Sequence, residues 1–494
     1  MKTRITALML ALLFISYDTM AFCGFYVSKA PADLFNKKSE VILVREGKKT
    51  TITMSNDFQG DVKDFAMVVP VPVVLKENQI RIADRGVFDR LDAYSAPRLV
   101  EYHDQNPCAM SNVRMFDDRE ILEAVTVQAE STSRSRTKKK DYKVTIEATY
   151  AIGEYDILIL SAKESNGLEQ WLIDNGYKIP SKAKEVLEPY VKNNIKFFVV
   201  KVNLDKHKSR GFENLNPIQI SFESDRFMLP IRLGMANAED EQDLVIYAFT
   251  KDGRVEPTNY RTVKIPSNRN VPLFVERYFG EFYKDLFNRS YYREKMNAVF
   301  LEYAWNVSPM NGVKCDPCVS PPPVFADFKE AGVDWVTGMN NQSQVFFTRL
   351  HVRYTRNKFP QDLQFQVTPN RENFQGRYIL THPAKGDLSC TEGQDYILNL
   401  EQRRKVEVDE LYALAGWTNP NYEDYIKEYS KYKDRDNYDK YAPNKNEFLP
   451  PAGSDDGGDG PPKGLFFTIC GAFFMILFFA RHRVAQRQRR SRTT

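Results

Sequence analysis

The stretch Val41–Leu75 restricts the fold more than any other part of the chain. It reads VILVREGKKTTITMSNDFQGDVKDFAMVVPVPVVL. The apolar runs Val41–Val44 and Thr51–Met54 flank Glu46-Gly47-Lys48-Lys49, a polar turn that contains glycine. Such a pattern predicts a β-hairpin, the expected seed of the main domain. A third apolar run covers Phe65–Leu75. Its Pro70 and Pro72 have no N–H to give to a ladder, which predicts an edge strand or an extended segment leaving the sheet.

Further strand-like runs follow, rich in β-branched and aromatic residues. They are Asp141–Tyr150, Tyr155–Leu160, Ile195–Leu204, Ile218–Phe222, Leu244–Thr250, Val345–Tyr354, Leu363–Val367 and Gly376–Thr381. Leu168–Asn175 reads as a short helix stopped by Gly176, and Pro180-Ser181 opens another that runs to about Val191. Aromatic and aliphatic residues at helical spacing predict a long helix or a helix pair between Pro272 and about Trp305, and a last helix covers about Leu400–Leu414. Strands and helices come in clusters without a βαβ period. The fold class is therefore α+β, with mainly antiparallel sheets and interspersed helices over residues 22–420 and a subdomain break near 150–215. No internal repeat is visible. Residues 128–141 carry five basic residues and no apolar periodicity, and are expected to be a solvated loop.

The two ends set the expected topology. Lys2 and Arg4 precede the apolar Ala7–Ser16, and Thr19-Met20-Ala21 ends on a small residue, so residues 1–21 read as a signal peptide. Residues 464–480 are apolar and uncharged. As a helix they would reach about 25 Å, enough for one short transmembrane helix with Lys463 and Arg481 snorkelling at its ends. Arg481, Arg483, Arg487, Arg489, Arg490 and Arg492 make 481–494 a basic tail expected in the cytoplasm. The partner expected at this end is therefore the membrane. Residues 421–463 read as a linker, charged and tyrosine-rich and then rich in Gly and Pro, spanning on the order of 35 Å as a coil. Tyr422, Tyr425, Ile426 and Tyr429 share one helical face there, so a short docking helix is an alternative.

Charge excludes one class of partner. The net charge is +4, but the first 21 residues hold +1 of it and the tail +6, which leaves −3 for everything between. The central region is mildly acidic, so no nucleic-acid partner is expected.

Chemistry is harder to find. The cysteines outside the apolar run, Cys23, Cys108, Cys315, Cys318 and Cys390, are the disulfide candidates, and their odd number leaves one free or paired between chains. Cys315-Asp316-Pro317-Cys318 invites a redox reading, yet Pro321-Pro322-Pro323 stands where the activating helix should continue. A structural disulfide is the preferred reading. Metal binding by Cys315 and Cys318 with Cys390 or His382 is an alternative. Of His103, His207, His351, His382 and His482, none has H-E-x-x-H spacing, and no nucleophile elbow or phosphate-cradling loop is present. His351 lies in a strand near Arg349 and Arg353 and is expected to be an ordinary satisfied histidine. No catalytic residue and no cofactor is assigned, although a pair of carboxylates needs no sequence signature.

Longer motifs carry a resemblance. Cys23–Val27, Asn56–Asp61, Val68–Pro72 and Tyr155–Ala162 resemble the bacterial "domain of unknown function 2330" family, as do Phe227–Met235, Thr258–Val263, Cys315–Cys318 and Phe374–Tyr378. The resemblance covers about residues 22–420. It implies a secreted or membrane-tethered bacterial protein and no particular activity. The expectation is a single-pass protein of the bacterial cell envelope, its N-terminal domain outside the cytoplasm. It would serve as a non-enzymatic binding or scaffold module for a protein or another envelope component. An extracytoplasmic enzyme, metal-dependent or hydrolytic, is the alternative.

Overall fold

Gly47 has φ +56°, the positive value that the first position of a two-residue type II′ loop needs and that glycine adopts without a Cβ clash. Around it the strands Phe35–Glu46 and Lys49–Gln59 pair antiparallel, closing on Glu46↔Lys49. The computed structural model describes residues 25–28, 35–59, 64–109, 144–175, 183–203, 216–236, 241–308, 320–338, 344–427 and 435–444. The expected signal peptide, Cys23, the loop 128–141, Cys315 and Cys318, the span 464–480 and the tail 481–494 lie outside them. Among the described residues no helix is long and apolar enough to cross a membrane. The described residues all belong to one compact unit.

The hairpin stands in the middle of a nine-stranded sheet. From one edge the order is Arg261–Lys264, Ala298–Asn306, Phe346–Tyr354, Gln242–Thr250, the two hairpin strands, Ile218–Glu223 and Ile80–Ile82; Phe374–Gln375 pairs beside Ala298–Asn306. A five-stranded sheet runs Phe25–Ser28, Asp64–Val71, Lys196–Asn203, Tyr155–Ala162, Val144–Ile152. Most ladders are antiparallel, as expected. Gln242–Thr250 is parallel to Phe35–Glu46, and the small sheet of Arg269–Asn270, Arg377–His382 and Arg98–His103 is wholly parallel.

The two large sheets pack face to face. Val41, Leu43, Ile52, Met54, Leu244 and Ile246 of one meet Met67, Val69, Ile157, Ile159, Phe198 and Val200 of the other. Successive residues point to opposite faces of a strand. Phe197 and Val199 therefore face outward, under Leu168 and Leu172 of the helix Ser165–Asp174 and Leu187 of the helix Ala183–Lys192. On the far side Ile42, Val44, Tyr247 and Phe249 lie beneath Phe88 and Leu91 of the helix Gly86–Ser95 and Phe328 of the helix Phe325–Ala331. The layers are thus helix, sheet, sheet, helix. Sheets covered on both faces need strands apolar on both sides, which is why these runs show so little alternation.

Three expectations change. Asp64–Val71 is not an edge strand: it lies between Phe25–Ser28 and Lys196–Asn203. Among the described residues the ladder to Phe25–Ser28 spans Phe65–Val68, so Pro70 lies beyond it. The helix expected over 272–305 consists of a 3-10 turn, Leu273–Tyr278, and the helix Phe279–Arg293. Lys295 and Met296 then turn the chain at φ +58° and +61° into the strand Ala298–Asn306. A strand buried on both faces is a continuous apolar run, and periodicity does not separate it from a helix. The last helix is longer than expected, Thr391–Ala415. Beyond it the helix Tyr422–Lys427 docks on the domain itself, with Tyr422, Tyr425 and Tyr441 buried around Phe274.

Candidate functional site

A buried array of charges crosses the helix-covered face of the nine-stranded sheet. It begins on the strand Phe346–Tyr354, where Arg349, His351 and Arg353 alternate onto one face and stand opposite Tyr247, Val245 and Asp243 of Gln242–Thr250. The other neighbour, Ala298–Asn306, pairs Leu301 with Leu350 and Tyr303 with Arg349. Glu302 is therefore the extra residue of a β-bulge. Bulges re-aim side chains, and at this one the glutamate faces the two cations.

The contacts alternate in sign. Asp243 receives both Nε and Nη2 of Arg353, at 2.9 and 2.7 Å. His351 stands between carboxylates, Nε2 3.3 Å from Asp243 and Nδ1 2.8 Å from Glu302. Its ring stacks on Phe287 at 3.9 Å. Arg349 donates to Glu302 at 2.6 Å and to Asp92 at 2.8 Å. The Tyr247 hydroxyl lies 2.9 Å from both Asp92 and Glu40. Arg85 continues the array, donating to Glu40 at 3.0 Å and to Ser55. The Tyr283 hydroxyl also donates to Glu302.

Burial and charge compete in this array. Burial alone would push the Glu302 carboxyl up, but the charges of Arg349 and His351 and the hydrogen bonds from His351 and Tyr283 outweigh it and hold it down at about 2. Asp243 is likewise lowered against its burial, by His351 and Arg353. Burial opposes protonation of His351, yet Glu302 and Asp243 raise it above its ordinary value. The two acids thus favour the protonated form of the histidine against its burial. An imidazolium already shared between two carboxylates has no lone pair for a base and no free proton for an acid. Each charge meets an opposite one, the arrangement a buried ion cluster needs to be stable.

A cavity of about 550 Å³ opens near the far edge of the same sheet, lined among others by Lys49, Lys76, Arg81, Gln219, Glu223 and Asp334. Arg81 donates to Gln219 at 2.5 Å and to the carbonyls of Lys329 and Glu330, at the C-terminal end of Phe325–Ala331. Lys49 pairs with Asp334 at 2.5 Å.

The residues singled out in the sequence do not converge. Cys390 is the N-cap of Thr391–Ala415 and forms a disulfide with Cys108, Cα–Cα 5.9 Å across a sequence separation of 282. Its sulfur, weighed above as a metal ligand, is engaged there. His382 stacks on His103 at 4.5 Å and meets Glu101 at 2.8 Å. Among the described residues no group of three or more His, Cys, Asp or Glu is placed to hold a metal ion. His351 is indeed satisfied, though in a larger array than the sequence suggested. Two signals pointed to it: Arg-x-His-x-Arg alternating inside an apolar strand, and the lone carboxylate of Glu302 inside Ala298–Asn306.

A family model described as "Uncharacterized protein conserved in bacteria (DUF2330)" matches residues 18–366. No curated protein and no solved structure matches the chain.

Proposed function

Since this chain belongs to the DUF2330 family of uncharacterised bacterial proteins, we propose that it is a binding or scaffold module displayed outside the cytoplasm and held by a C-terminal transmembrane helix. The disulfide Cys108–Cys390 carries this reading. Such links persist in oxidising compartments and are rare in the cytosol. The apolar run 464–480 and its arginine tail supply an anchor of the expected orientation, and residues 1–21 an export signal.

The buried array supports the non-enzymatic half of the proposal. Its charges join the sheet to Gly86–Ser95 and Phe279–Arg293, and neither Asp243, His351 nor Glu302 lines the cavity of about 550 Å³. That cavity has the size of a ligand or peptide site.

Two measurements test the reading. A reporter that works only in the cytoplasm, fused after Thr494, should be active; activity of a reporter that works only outside overturns the topology. A photo-crosslinking residue at Val74, an exposed position lining the cavity, should give a discrete adduct in living cells. The same probe at the exposed Leu398 is the control. Equal labelling at both positions, or none at Val74, rejects the binding role.

A further inference from the structure

We propose that a second, smaller cavity binds a small organic anion, a carboxylate or phosphate carried on a hydroxylated body. The cavity measures about 320 Å³ and lies between the helix Ala183–Lys192, the segment 226–232 and the loop 361–364. That volume is near the lower end of the range for small-molecule sites. The proposal concerns a ligand site separate from the larger cavity and does not depend on the envelope reading.

Its walls are built in advance. Asp362 Oδ1 accepts from the Tyr190 hydroxyl at 2.7 Å and from the Arg232 backbone N–H at 3.1 Å. Asn259 fixes the loop from behind, donating to the Asp362 carbonyl at 2.8 Å and accepting from the Gln364 N–H at 3.1 Å. The Tyr260 hydroxyl donates to the Gln361 carbonyl at 2.9 Å. Tyr190 and Asp362 are both buried, and burial raises the carboxyl of Asp362 above its usual range.

Two arginines, Arg226 and Arg232, line this cavity. Among the described residues the hydrogen bonds made by both are donated by their backbone N–H, and neither guanidinium has a carboxylate at ion-pair distance. Arg349 and Arg353, by contrast, are each paired with a carboxylate. Asp362, the acid lining the cavity, already holds a hydroxyl and a backbone N–H. Among the described residues the site is therefore net positive, and two of its lining residues carry planar guanidinium forks. Carboxylate and phosphate groups match that geometry with paired hydrogen bonds. The amides of Asn193 and Gln364 can bind hydroxyl groups, and Ile195 and Met228 supply an apolar wall.

The test uses the full-length protein in detergent micelles at constant ionic strength. Inorganic phosphate, glucose 6-phosphate, gluconate and uncharged glucose are titrated separately while the melting temperature is followed. At least one anion should raise it saturably, and glucose should not. Response to the phosphates alone assigns a phosphate head, and response to gluconate alone a carboxylate head. Arg226→Ala and Arg232→Ala should each weaken the response tenfold or more, and Arg226→Lys should restore part of it. Lys385→Ala, away from the cavity, should leave it unchanged. No saturable shift with any anion overturns the proposal. So does a shift that survives both alanine variants, because the anion then binds elsewhere.

Discussion

Glu302 Oε1 lies 2.8 Å from His351 Nδ1, and Glu302 is the unpaired residue of a β-bulge. Val299 and Leu301 before it face the space between the two sheets, so alternation sends Glu302 to the helix-covered face; the bulge lets Tyr303 share that face before Ala304 returns to the inner one. On that face Glu302 is the centre of an ion array that holds Gly86–Ser95 and Phe279–Arg293 to the sheet.

Glu302→Gln should destabilise the protein by about 3–5 kcal/mol, the usual consequence of removing one partner from a buried ion cluster. Arg349 and His351 would each lose one of their two acids and keep Asp92 and Asp243 respectively. Urea denaturation measures it. A loss below about 1 kcal/mol, the scale of an exposed pair, would show that the array is not a structural joint.

The array also sets a pH dependence. The pKa of His351 is raised on folding, so its contribution is complete below about pH 6.5 and is lost as pH rises through the raised value. Glu302 is lowered to about 2, so its contribution is present above about pH 4.5 and is lost as pH falls toward that value. Melting temperature should therefore fall on both sides of a mildly acidic optimum. His351→Gln should flatten the alkaline limb between pH 6.5 and 9; an unchanged limb contradicts the assignment.

Cys390→Ser should lower stability by about 2–5 kcal/mol, and the double variant with Cys108→Ser no further, since one bond is lost in each. Gly393→Ala should disturb the same joint, because a Cβ there would fall 2.4 Å from the Leu388 carbonyl and 2.8 Å from Cys108 Sγ. With Cys108 and Cys390 joined, Cys315 and Cys318 are left with each other, Cys23 or a second chain. Non-reducing peptide mapping of the exported protein should recover the Cys108–Cys390 peptide and at least one bond from Cys315 or Cys318. Full alkylation of the latter two in unreduced protein favours the metal reading.

Glu407 should make the docking of the last helix pH-sensitive. Burial raises its carboxyl to about 7, against the hydrogen bond from Tyr425 at 2.8 Å and the charges of Arg403 and Arg404. A raised folded value contributes stability below about pH 4.5 that is lost as pH rises through 7. The protection factors of residues 422–427, exchange rates divided into their intrinsic values at each pH, should fall over that range. In Glu407→Gln the protection factors should not change with pH; an unchanged profile removes Glu407 as the cause.

Individual elements were legible in the sequence. The hairpin, Lys196–Asn203, Ile218–Glu223, Gln242–Thr250 and Phe346–Tyr354 all stand within a few residues of their expected bounds. The helix–strand boundary near 293 was not legible, because Ala298–Asn306 is apolar on both faces. Of the candidate site, His351 and its flanking arginines were visible as polar positions in an apolar strand. Of their acids only Glu302, a lone carboxylate in an apolar run, carried a local signal.

The sequence by itself determined the turn at Gly47, many of the strands, several helices and the count of cysteines. Turn geometry, propensity and apolar period act over a few residues, so neighbours suffice to read them. Tertiary structure alone decided the helix–sheet–sheet–helix layering, the choice of Cys108 for Cys390, and the meeting of Arg349 with Asp92 across 257 residues and of Tyr247 with Glu40 across 207. Those contacts depend on which strands become neighbours and in what register. A shift of one residue moves every side chain to the other face, and here a single bulged residue lets Glu302 and Tyr303 share one face.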